Sequence, residues 1–156
     1  MRTRSMPPAP GRHPWSRVED AGEMRLPLAE INGAFERARW AAGARDFEVA
    51  AAEIDAALAY ADLLNDDDAF AIVRDASTLI DDVLEGRLGG LSAIPSIVSE
   101  ELDVHVARLS SEQAFLLSRI DGRCSVEEVI DLTPLPRHRT LLLLVRLLRQ
   151  KVIAVD

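Results

Sequence analysis

The sequence predicts a mainly α-helical protein in two parts, a short run of antiparallel helices followed by a small α+β unit. Three observations carry this reading. Apolar residues recur at three- and four-residue spacing through most of residues 28–86, the period of a helix with one buried face. Two Ser-x-x-Gln/Glu signatures, Ser110 to Gln113 and Ser125 to Glu128, mark helix starts further on. Short runs rich in β-branched residues flank those helices at 94–98, 102–109 and 152–155, as strands do.

Composition narrows the function. The 156 residues carry a net charge of −8, with 17 Arg and a single Lys among the basic residues. An acidic chain is a poor general partner for phosphate backbones. The one cysteine, Cys124, cannot close an internal disulfide. The longest apolar runs, Leu141 to Val145 among them, reach only about five or six residues, far below the length of about 20 residues that spans a bilayer. The opening MRTRSMPPAPGRHPW has no apolar segment of the signal-peptide kind. These features lead to the expectation of a cytoplasmic protein.

Charge divides the chain. Residues 1–25 hold +2, residues 26–86 hold −10, and residues 87–156 are neutral. Residues 1–25, with Pro7, Pro8, Pro10 and Pro14, read as a disordered tail. Residues 26–86 read as an acidic helical domain, 87–93 as a linker, and 94–156 as the α+β domain.

In the acidic part, Ile31, Ala34, Phe35, Ala38 and Ala42 share one helix face. Gly43 and Ala44-Arg45-Asp46 make a turn. Phe47, Ala50, Ile54, Ala57, Leu58 and Ala61 form the next stripe. Asn65 to Asp68 supply helix caps, and lack the spacing of a calcium loop. A third helix is expected from there to Glu85, ended by Gly86 and Gly89-Gly90. The acids Glu48, Asp55 and Asp62 lie mostly off the buried stripe and are the candidate partner-facing residues of this half.

In the second part, Leu102, Val104 and Val106 alternate with Asp103, His105 and Ala107, which predicts an edge strand with Val104 and Val106 as peptide-binding candidates. Asp121-Gly122 ends the first short helix, and Pro136 suits the first turn of the last one. The order of strand, three short helices and strand is the layout of a winged-helix-like domain. Phe115, Leu117, Ile120, Leu142 and Val145 are expected to hold this fold together. The last helix is apolar nearly all round from Leu141 to Leu148, so more than one side of it needs cover. Either the earlier helices pack on it, or a homodimer forms through helix 136–150.

Two resemblances add to this. The Gly/Ala-rich turn followed by Asp46-Phe47-Glu48-Val49-Ala50, with Ala57 seven residues on, resembles the second helix of a tetratricopeptide repeat across about residues 31–64. Asp62 stands where that pattern usually has Pro. Phe115-Leu116-Leu117-Ser118-Arg119-Ile120-Asp121-Gly122, then Ser125-Val126-Glu127-Glu128-Val129 and the closing Val152-Ile153, resemble a PqqD-like winged-helix module. They are also similar to short bacterial proteins that join helical repeats to such a segment. Both resemblances imply a binding role and carry no catalytic residue.

The expected function is therefore a non-enzymatic adaptor or regulator that binds a protein or peptide. The alternative is a DNA-binding transcriptional regulator, with Arg137, Arg139 and Arg146 of the last helix on the phosphates or bases. Leucines in the middle of that helix would make no useful base contacts. For a cysteine nucleophile, Cys124 has only His138 as a nearby base. Gly86, Gly89 and Gly90 lack the Lys-Ser/Thr of a phosphate loop, so no cofactor is expected.

Overall fold

The computed structural model describes residues 14–98 and 108–156, with side chains from Leu26 onward. Helix α1 runs Pro14–Gly43, α2 Phe47–Leu64, α3 Asp67–Asp75 and α4 Ser77–Leu88. Strand β1 is Pro95–Ile97; then come α5 Ser111–Arg119, α6 Val126–Asp131, α7 Arg137–Arg149 and strand β2 Ile153–Val155. The expectation of a mainly α protein with a small β element holds among these residues.

Helix α1 starts earlier than its apolar period suggested, so residues 14–25 belong to a helix and not to a disordered tail. Proline is favoured in a helix's first turn, where its missing N–H costs nothing. Pro27 removes one backbone bond further in, and the helix continues through it. The inner face is the predicted one: Ile31, Ala34, Phe35 and Ala38 are buried. Arg45, in the left-handed region at φ 61°, turns the chain into α2. There Asp46 accepts the backbone N–H of Val49 at 3.2 Å. Ala50, Ile54, Ala57, Leu58 and Ala61 face α1 and the core. Small side chains allow the two helices to pack closely.

The expected third helix is two. Asp66 caps α3 through the Ala69 N–H at 2.9 Å, but the chain bends at Ala76 (φ −92°, ψ 8°) and restarts as α4. The bend separates two packing tasks. α3 lies against α1 and α2, whereas α4 packs on α2 and α7. Gly86 does not end α4, which continues to Leu88 and is stopped by Gly89 at φ 85°. The expected linker at 87–93 therefore shrinks, because Arg87 and Leu88 are helical. Its remainder is tied down: the Leu91 and Ala93 carbonyls accept the first N–H groups of α6, from Glu127 at 3.1 Å and Val126 at 2.8 Å.

β1 and β2 pair antiparallel, with Pro95 opposite Val155 and Ile97 opposite Ile153. Between them, Ser110 and Gln113 form a full capping box on α5. Ser125 caps α6 through the Glu128 N–H.

Helix α7 is the hub. Leu141 to Val145 and Leu147 are each no more than 2 % exposed, covered by α4, α5, α6 and β2. The buried side chains of both halves form one continuous cluster, so the two expected domains share a core. The homodimer contact expected through helix 136–150 loses its basis, since the chain itself covers the leucines.

Gly86 has a packing role in place of the expected stop. A Cβ there would lie 2.6 Å from Cε1 of the Phe47 ring. Gly86→Ala should therefore destabilise the protein, the overpacking cost of about 1–3 kcal/mol exceeding the gain of about 1 kcal/mol in helix propensity. Urea unfolding measures it, and a rise in stability would contradict this packing.

Candidate functional site

With one face of α1 buried on α2, the opposite face carries Asn32, Glu36, Arg39, Trp40 and Gly43. Trp40 is 82 % exposed, unusual for the largest side chain, which is highly buried on average. It walls an open hollow of about 420 Å³ together with Glu36, Arg39, Gly43 and Ala44. A smaller hollow of about 140 Å³ continues between α1 and α3, floored by Phe35, Ile72 and Ala76. The two meet at Glu36 and Arg39, which line both and form an ion pair at 2.5 Å. Together they make a shallow groove along α1. Sequence reasoning passed over Trp40; its signal was a large aromatic lying off the Ile31/Ala34/Phe35/Ala38 stripe.

The predicted acidic candidates separate. Glu48 and Asp62 are exposed on α2. Asp55 is not a free partner-facing group: Arg146 grips it through Nε and a terminal nitrogen at 3.1 and 2.6 Å, and Arg149 adds a contact at 3.0 Å. Val104 and Val106, with the strand expected around them, lie outside the described residues.

The basic candidates are taken up in the same way. Arg137 pairs with Glu85 at 2.5 Å, Arg139 with Glu112 at 3.0 Å and Arg146 with Asp55. They do not form a free basic row. Two of the three tie α7 to the acidic helices. Near Arg137, burial pushes the Asp81 carboxyl above the ordinary aspartate range, opposed by the Arg137 charge.

Cys124 sits beside a tight turn. Asp121 Oδ1 accepts the backbone N–H groups of Arg123 and Cys124 at 2.8 and 2.9 Å, around Gly122 at φ 77°. These bonds hold the Asp121 carboxyl below its ordinary value. The thiol is pushed up, first by burial and then by the Asp121 charge. A raised thiol is a weaker source of thiolate at neutral pH, so this environment works against a nucleophilic role. Among the described residues no group of His, Cys, Asp and Glu could hold a metal ion. No described helix is long and apolar enough to cross a membrane.

No family model, curated protein or solved structure matches the chain.

Two measurements check these assignments. Asp55→Asn should cost about 1–2 kcal/mol, above an ordinary exposed pair because the contact is bidentate and partly buried. The loss in urea unfolding should shrink in concentrated salt; an unchanged midpoint would contradict it. Asp121 has a depressed folded value, so its contribution is present above the unfolded value of 3.8 and lost as pH falls through the folded one. Asp121→Ala should lower the melting temperature at neutral pH, and its gap from the wild type should close in acid.

Proposed function

We propose that this chain is a non-enzymatic adaptor that binds a protein or peptide along the α1 groove. The observation that carries the reading is Trp40, held 82 % exposed beside a preformed hollow. Exposed aromatics in concave settings are typical binding anchors. The close pairing of α1 with α2 across a short turn supports a helical-repeat-like reading of the first half. The order β1, α5, α6, α7, β2 supports a winged-helix-like reading of the second. In this reading the second half is a structural platform that buttresses α4 and α2, and the first half does the binding.

The DNA-binding alternative draws less support. Arg137, Arg139 and Arg146 already hold carboxylates, and a phosphate would have to displace them. No duplex shift is expected at near-physiological salt; a shift abolished by Arg137→Ala and Arg139→Ala together would overturn the adaptor reading. Affinity capture from the source cell, quantified by mass spectrometry, tests the groove. The wild-type chain should retain at least one protein that a folded Trp40→Ala variant loses, and identical retention by both would reject the groove as the site.

A further inference from the structure

We infer that the α1 groove takes a cationic amphipathic helix, and this deepens, and rests on, the reading of the groove as a protein-binding surface. Shape comes first. From Asn32 to Gly43 the groove follows about three turns of α1, or roughly 16 Å at 1.5 Å per residue. That is the reach of a short helix laying anchors spaced i, i+3/i+4 and i+7 along a groove. Trp40 forms one wall, and Phe35, Ile72 and Ala76 form the floor at the other end.

Charge selects among such helices. Residues 26–86 carry −10. Of the arginines on α1, Arg39 is paired with Glu36 and Arg37 with Glu53, while Arg45 and Arg74, exposed beside the groove, have no ion-pair partner among the described residues. Asp75 lines the groove, is exposed, and has no ion-pair partner among the described residues. The α2 acids Glu48 and Asp62 are likewise exposed without one. An approaching helix thus meets a shallow groove of mixed polar and apolar lining in a region of net negative charge, which attracts lysine- and arginine-rich partners and repels acidic ones. Trp40 adds a ring face on which a cation can rest beside the apolar anchor.

The test uses the full chain with Trp15→Phe, so that Trp40 is the sole indole, and two helix-forming peptides of about 14 residues. Both carry Leu at i, i+3, i+4 and i+7 spacing; one has Lys at the remaining positions and the other Glu. The Leu/Lys peptide should shift Trp40 emission to the blue and bind at least about tenfold tighter than the Leu/Glu peptide, weakening several-fold as salt rises. Followed by anisotropy of the labelled Leu/Lys peptide, Trp40→Ala should lose about tenfold in affinity and Asp75→Asn a few-fold, by loss of the anchor and of one charge contact. Asp82→Asn, outside the groove, should change little. Equal binding of the two peptides, no binding of the Leu/Lys peptide, or undiminished binding by folded Trp40→Ala would each overturn the inference. If the peptides fail while cellular capture still depends on Trp40, only the cationic-helix assignment falls. If capture is also independent of Trp40, the groove reading falls with it.

Discussion

The structure depends on covering α7. A helix with leucine on every side cannot rest on a single partner, and Leu141 to Val145 are buried together. Around them lie α4 from the acidic half, α5 and α6 from the second half, and the closing strand β2. That requirement explains why an acidic helical region and a neutral α+β unit do not behave as beads on a string. It also explains why the segment between them is short and bound by its carbonyls to the start of α6. Each half alone would leave a large apolar surface in water.

The same requirement allocates charge. Burial of α7 brings its arginines against α2, α4 and α5, where Asp55, Glu85 and Glu112 receive them. What resembles a basic recognition face along the chain becomes the seam of the fold. The outer face of α1, farthest in role from this seam, keeps its exposed tryptophan and its acidic setting. The proposed binding face thus lies in the half with the less familiar motif. The motif residues Ile120, Val126 and Val129 are core, while Asp121 and Gly122 shape a turn.

Local features were legible in the sequence. The Ser110/Gln113 capping box, the Asp66 cap, and the buried stripes of α1 and α2 follow from short-range rules and stand where those rules place them. Phe115, one of the five expected fold-holding residues, is only half-buried; its ring lies under the Arg119 guanidinium instead. Tertiary features were not legible. Nothing within reach of Asp55 in the chain points to Arg146, 91 residues away. Gly86 resembles a helix stop until the Phe47 ring is beside it. Ala76 has no breaking chemistry, and the bend there answers to what α3 and α4 must each pack against. Trp40 could be placed off the buried stripe, but the adjoining hollow floored by Ile72 depends on α3.

The central claim is one core organised by α7, and native-state hydrogen exchange tests it most directly. Amides of Ala57 and Leu58 in α2 should open with the same free energy as those of Leu143 and Leu144 in α7, as members of one cooperative unit. Leu144→Ala should lower both by the same amount, about 2–5 kcal/mol for a cavity in a close-packed core. If the α7 amides lose protection while those of α2 keep theirs, the halves are independent and the account is wrong.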